Sequence, residues 1–134
     1  MNDIINFLIE NPTGILATIG ADGKPKARPF TFFFEAEGKL WFQTSNEKSV
    51  YRELISNPHI EFCFSGSHMS WLRLSGKAVF EDRMDIKVAM FEKTSNLSFL
   101  YKSPQNPVFE VFYLESAKAI LSLFRKDPIE FNLN

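Results

Sequence analysis

A chain of 134 residues with 15 basic and 16 acidic side chains has the size of one domain and no charge excess suited to a nucleic acid. Its apolar runs fall far short of a membrane-spanning helix, and residues 1–12 carry acids and break at Pro12, unlike a signal peptide. The single cysteine, Cys63, cannot close an internal disulfide, which fits a reducing cytoplasm, and no Cys or His spacing matches a zinc site.

A domain of this length buries roughly two-thirds of the surface its unfolded chain exposes. It therefore needs no crosslink or structural metal to hold a core. Fifteen Phe supply either a ring-rich core or a buried subunit interface.

Asn2 or Asp3 can cap a short helix with Ile4, Ile5, Phe7, Leu8 and Ile9 on one broad face, ended by Pro12 and Gly14. Residues 14–19 read as a strand. Asp22-Gly23 is the tight turn of a hairpin, because its residues must take positive φ. The return strand runs from Lys26 to Glu35, and Glu37-Gly38 turns it into a third strand over 40–44. Val50, Tyr51, Leu54 and Ile55 share one face of a helix over 46–56, which Asn57-Pro58 stops. Ile60, Phe62 and Phe64 alternate with Glu61, Cys63 and Ser65 in a fourth strand, and a Gly66-Ser67 loop leads to a fifth over 70–80. Asp82 caps a helix over 83–94, with Met84, Val88 and Phe91 at helical spacing. Residues 96–106 are polar, contain Pro104 and read as a loop with one turn of helix. Residues 108–114 and 117–124 form a final hairpin, and the tail beyond Pro128 adds an edge strand. The pattern predicts one domain over 1–134, mainly β with peripheral helices. Its antiparallel strands, about six to eight, close into a barrel because closure removes edges.

Two segments could carry chemistry. Arg28 shares parity with Phe30, Phe32 and Phe34, so a regular strand aims it with the rings. Pro29 beside it suggests an edge or a bulge. In the first case the guanidinium offers a planar fork to a phosphate or carboxylate; in the second it turns to solvent. Further on, a strand ends in Gln43, Thr44, Ser45 and Asn46, and a helix starts at once. A helix start offers unpaired N–H groups and partial positive charge. Lys48 in its first turn is locally unfavourable, as a site built for an anion would be, or else it is simply solvated beside Glu47. The Glu37-Gly38 turn makes the two strands neighbours and brings Arg28 and Thr44 to one end. The constellation reads as a phosphate cradle without the Gly-rich pattern of a P-loop. Trp41 reads as core filler, whereas Trp71 could stack on a ligand or pack. His59 and His68 read as surface or turn residues, and Cys63 as an inert packed thiol.

The order of Gly23 to Phe30 (GKPKARPF), Leu40 to Thr44 (LWFQT), Lys48-Ser49, a helix, Asn57-Pro58 and then Trp71 to Gly76 (WLRLSG) resembles the pyridoxamine 5′-phosphate oxidase-like FMN-binding split-barrel proteins. The resemblance covers residues 3–124. It implies a homodimer with one FMN in each of two clefts between subunits. Arg28 and Lys48 would meet the phosphate with Thr44, Ser45 and Ser49. Backbone at Pro29, Phe30 and Thr31 would meet the isoalloxazine ring, and Gln43 and Trp71 would complete the cofactor set. True pyridoxamine-phosphate oxidases carry a glutamine near the position of Trp71 and an Arg-x-His near the C-terminus. Neither is present here, which argues against vitamin B6 oxidation. Gln43 stands where the nitroimidazole-resistance branch usually has histidine. The short chain and compact tail look most like the general-stress and nitroimidazole-resistance-like members. The implied function is an FMN-dependent oxidoreductase passing electrons from NAD(P)H to a small acceptor. The alternative is a non-enzymatic binder of flavin or another planar ligand, acting as a store, carrier or redox sensor. No residue is assigned a catalytic or metal-binding role.

Overall fold

The computed structural model describes residues 1–134. Helix α1 (Asn2–Glu10) has no side-chain cap, so the expected Asn2 or Asp3 cap is not made. It buries Ile4 and Leu8 and leaves Ile9 exposed. Strand β1 (Thr13–Ile19) returns as β2 (Pro25–Thr31). In the turn between them Gly23 takes φ +77°, and Asp22 Oδ1 accepts from the Lys24 amide at 3.0 Å. Register runs unbroken from Thr13 opposite Thr31 to Ile19 opposite Pro25. Pro29 therefore makes no bulge, and β2, at one end of the strand order, tolerates its missing N–H.

The strand expected over 26–35 is two strands. After Thr31 the Phe32 amide donates to the Pro12 carbonyl and the Phe33 amide to the Trp41 carbonyl. Then β3 (Phe34–Ala36) pairs with β4 (Lys39–Ser45) across a turn in which Glu37 and Gly38 both take positive φ. With β5 (His59–Ser65), β6 (Trp71–Phe80) and β7 (Phe109–Ser122) the order is β2-β1-β5-β6-β7-β4-β3, and β8 (Ile129–Asn132) adds to β7 as the expected edge strand. Strands β2 and β3 are consecutive in the chain yet lie at opposite ends of that order. The kink at Phe32 and Phe33 therefore closes the sheet, and the eight strands make an antiparallel split barrel.

Residues 108–124 are not a hairpin. They form β7, 14 residues long, paired with β6 on both sides of a register shift between Ser75 and Lys77. Ser116 takes φ +54° there. The two residues expected to turn the chain are instead absorbed in a bulge. Gly76 permits it, since a Cβ at that position would sit 3.1 Å from the Glu115 carbonyl oxygen.

Helix α2 (Ser49–Ser56) follows β4, starting later than the sequence suggested, while α3 (Met84–Lys93) and α4 (Ser95–Tyr101) fill the β6–β7 connection. Arg83, not Asp82, is the N-cap position of α3. α4 occupies part of the expected loop, capped by Thr94, whose hydroxyl accepts from the Asn96 amide. No helix is long and apolar enough to cross a membrane.

Two apolar clusters share β4 and β7. Leu40, Phe42, Phe112 and Leu114 face the barrel interior with Leu16, Phe62, Phe64 and Leu74. Trp41, Val111 and Tyr113 face outward under α3 and α4, against Ile86, Met90, Leu97 and Tyr101. Trp41 is thus core filler, as expected. Every Phe except Phe99 and Phe124 packs into one of these clusters, so the rings serve chiefly the subunit's own cores.

Candidate functional site

The turn from β4 into α2 holds the most unusual group in the molecule. Thr44 shares parity with Leu40 and Phe42, is 2% exposed, and its Oγ1 has no hydrogen-bond partner. It is the only buried side-chain polar atom left so, and such an atom ordinarily costs about 1–3 kcal/mol. Ser45 Oγ accepts from the Glu47 amide at 3.2 Å, and the Ser45 carbonyl accepts from the Lys48 amide. Lys48 is the N-cap of α2 with extended backbone and makes no side-chain cap bond. The amides of Ser49 and Val50 find no backbone acceptor. No acid stands in the first turn, and the exposed Lys48 ammonium has no ion-pair partner. A buried hydroxyl, open amides and a free cation between Thr44 and Val50 suit an oxygen-rich anion.

Arg28 is not turned to solvent, and it is not free. One of its terminal nitrogens donates to Thr18 Oγ1 at 2.8 Å and to the Leu16 carbonyl at 3.2 Å. The other pairs with Glu53 Oε1 at 2.6 Å, and Thr18 Oγ1 donates to the same oxygen at 2.7 Å. Glu53 lies on α2, so the network ties the inward side of β1 and β2 to the helix that Lys48 heads. Much of the Arg28 charge is answered inside the chain.

Adjacent strand residues point to opposite faces, so Gln43 and Thr44 do not share one pocket. Gln43 faces outward with Trp41, and its Oε1 accepts from the Tyr101 hydroxyl at 3.0 Å. Burial pushes the Tyr101 phenol pKa upward, which keeps the donor protonated. Gln43 also lines a cavity of about 370 Å³ at the split, where β2 leaves for β1 and β3 joins β4. Pro12, Thr31, Phe32 and Phe33 form its barrel side, and Lys93, Thr94, Asn96, Leu97 and Leu100 its helical side. Its volume lies within the range of about 300–1,000 Å³ typical of small-molecule sites.

The remaining expected site residues are spread out. The Phe30 ring packs within 6.3 Å of Phe42, Phe62 and Phe112, centroid to centroid, leaving only its backbone for a ligand. Pro29 is exposed on β2, and the Thr31 hydroxyl lies 3.2 Å from that of Thr13. Trp71 begins β6, opposite Ser65 and Ser122, and is 44% exposed. It stands three strands from Thr31, about 14 Å at the usual strand spacing. Glu53 and Thr18 were not among the expected residues. Their partner Arg28 lies 25 and 10 residues away, and no local pattern marks them. Asn96 and Tyr101 lie on α4, in a segment whose sequence reads as loop with one turn of helix, whereas Lys93 ends α3, where the sequence marks it only as a helical residue.

A family model described as pyridoxamine 5′-phosphate oxidase matches residues 3–121. The chain belongs to that family. No curated protein matches it. Among solved structures, a NimC/NimA family protein from Clostridium acetobutylicum is 31% identical with a TM-score of 0.90, covering 99% of this chain and 92% of its own. A pyridoxamine 5′-phosphate oxidase-related, FMN-binding protein from Nostoc punctiforme shares the fold at TM-score 0.69 and 16% identity, over 99% of this chain and 95% of its own. A heme-binding protein from Mycobacterium smegmatis does so at TM-score 0.75 and 15% identity, covering 94% of this chain and 55% of its own. The pyridoxamine 5′-phosphate oxidase fold thus accounts for the split barrel.

The Thr44 hydroxyl offers a direct check of whether its site is built for a ligand. Thr44→Val should be neutral or stabilising by about 1 kcal/mol without ligand, because it removes an unsatisfied polar group at nearly constant volume. Urea unfolding measures it. A loss of more than about 1 kcal/mol would mean the hydroxyl is already satisfied.

Proposed function

We propose that this chain is an FMN-binding flavoprotein that passes electrons from a reduced nicotinamide to a small acceptor. The observation that carries the cofactor reading is the orphaned Thr44 hydroxyl, one turn of chain before an uncapped helix start with the free Lys48. A phosphate there would accept from Thr44, Ser49 and the open amides and would neutralise Lys48. The ring would extend to the split, where Thr31 and the Gln43 amide line the cavity and the backbone at Pro29 and Phe30 leads up to it. Bound flavin supplies the redox chemistry, while the protein's groups bind it and tune it. A heme in the same cavity would want an axial His, Cys, Met or Tyr, and none of these lines it.

Arg28 belongs to the phosphate set in this reading, with a smaller share than Lys48, because Glu53 already answers its charge. A second copy of the chain completes each cleft. Exposed Ile15, Ile19 and Trp71 on the outer side of β1 and β6 are the apolar surface that such a partner would cover. Trp71 then reaches a ring from across the interface rather than within its own subunit. A flavin binder without turnover remains the competing outcome.

Titration of the purified protein with FMN, followed by flavin fluorescence, tests the cofactor. Lys48→Ala should weaken binding about 10- to 100-fold, as loss of a charged phosphate contact does, and Arg28→Ala should weaken it less. Wild-type protein that ignores FMN sinks the proposal. Anaerobic NADH or NADPH then bleaches the bound flavin of an enzyme and leaves that of a carrier yellow.

A further inference from the structure

The cavity at the split is electrostatically one-sided. Ten residues line it, and Lys93 is the only ionisable one among them. The Lys93 Nζ donates to the Phe33 carbonyl at 2.7 Å, which fixes the ammonium against the kink between β2 and β3. That bond uses one of its three N–H donors. No carboxylate lies within ion-pair distance of it, although Glu92 precedes it in the chain. Its place in the last turn of α3 suits a cation, since the carboxyl end of a helix carries partial negative charge.

The uncharged polar groups agree with that sign. The Tyr101 hydroxyl donates to the carbonyl oxygen of the Gln43 side chain, which orients that amide and leaves its N–H groups free to donate. The Thr94 hydroxyl accepts from the Asn96 amide, which leaves its own O–H to donate. The cavity thus presents one unpaired cation, the Gln43 amide and the polar side chains of Thr31, Thr94 and Asn96 beside an apolar wall that includes Phe32, Phe33 and Leu97. A planar ring with carbonyl oxygens along one edge fits such a lining, and it fits better when the ring carries negative charge.

We propose that Lys93 sets the charge preference of this cavity, so that it holds a flavin ring more tightly reduced than oxidised. The proposal rests on the FMN reading and gives the same site its electronic bias. Two-electron reduction with uptake of one proton leaves the ring with one net negative charge. Interaction with Lys93 therefore strengthens on reduction, and by linkage the bound flavin becomes easier to reduce. Tyr101 is a positioning residue that orients the Gln43 amide.

The test measures FMN affinity of the purified protein in both redox states: oxidised FMN aerobically, and photoreduced FMN anaerobically. A charge series at Lys93 separates the proposal from a structural role, because a general loosening of the site weakens both states alike and leaves their ratio unchanged. Lys93→Arg should keep the wild-type ratio of reduced to oxidised affinity. Lys93→Met should lower it about tenfold, the scale of two charges meeting in a partly wet site, equivalent to about 30 mV for a two-electron couple. Lys93→Glu should lower it further. Ratios within about twofold of wild type in both the Met and Glu variants overturn the proposal. If oxidised FMN binds and Lys48→Ala releases it while the ratio ignores position 93, this inference fails alone. If wild type binds FMN in neither state, the cofactor reading fails with it.

Discussion

Phe42→Ala should cost the barrel about 3–5 kcal/mol, the range for deleting a fully buried ring. Phe42 is 0% exposed and sits at the centre of the ring cluster. It stacks on Phe62 with centroids 4.5 Å apart and planes 14° apart, and on Phe112 at 5.4 Å and 19°. Phe32 meets it edge-on at 5.8 Å. Removing the middle ring leaves flat faces that cannot collapse together without moving β4, β5 and β7 at once. Phe42→Leu, which keeps more of the volume, should cost less than half as much. Phe99→Ala, at a side chain 86% exposed, should stay within about 0.5 kcal/mol. Urea denaturation of the three variants gives the order, and equal losses at positions 42 and 99 would contradict the packing described.

Glu53→Ala should be the next most damaging change, at about 2–3 kcal/mol. It removes the acceptor of both Arg28 and Thr18 and leaves a guanidinium without its counter-charge. A fully buried pair broken on one side loses about 3–5 kcal/mol. The lower figure reflects side chains that stay 23% and 13% exposed, where solvent screens the charges. The double variant Arg28→Met, Glu53→Ala should lose less than the sum of the two single changes, since neither group is then left alone. Strict additivity, within about 0.3–0.5 kcal/mol, would show that the two residues do not act together.

The features legible in the sequence are those decided by neighbours in the chain. Asp22-Gly23 and Glu37-Gly38 announce their turns because positive φ is a local demand, and both hairpins form there, although in the first only Gly23 takes positive φ while Glu37 and Gly38 both do. The alternation of Ile60, Phe62 and Phe64 with Glu61, Cys63 and Ser65 marks a strand, and the three apolar residues are its buried face. The same rule separates Gln43 from Thr44, and grouping them at one spot overlooked it. The β7 bulge depends on Gly76 in another strand, whose missing Cβ lets Ser116 be absorbed rather than turn the chain. No inspection of 108–124 alone would reveal it. α4 hid behind Ser, Asn and Pro104, although Leu97 and Tyr101 stand one helical turn apart. The Arg28 ion pair was invisible for a related reason: its partner is chosen by how α2 lies against β1, not by spacing.

Strand β7 has an effect on the protein as a whole. From Val111 to Leu114 its side chains enter the helical cluster and the barrel cluster by turns, and β4 does the same from Leu40 to Phe42. Neither core has a strand wholly its own on that side. The helices over the split therefore cannot be shed as a separate layer, since loosening them uncovers the outer face of the two strands that hold the barrel shut. Melting should be a single event, and the amides of Val111 to Leu114 should be among the last to exchange with solvent. The outer faces of this one pair of strands therefore bear on the stability of the helical layer and of the barrel together.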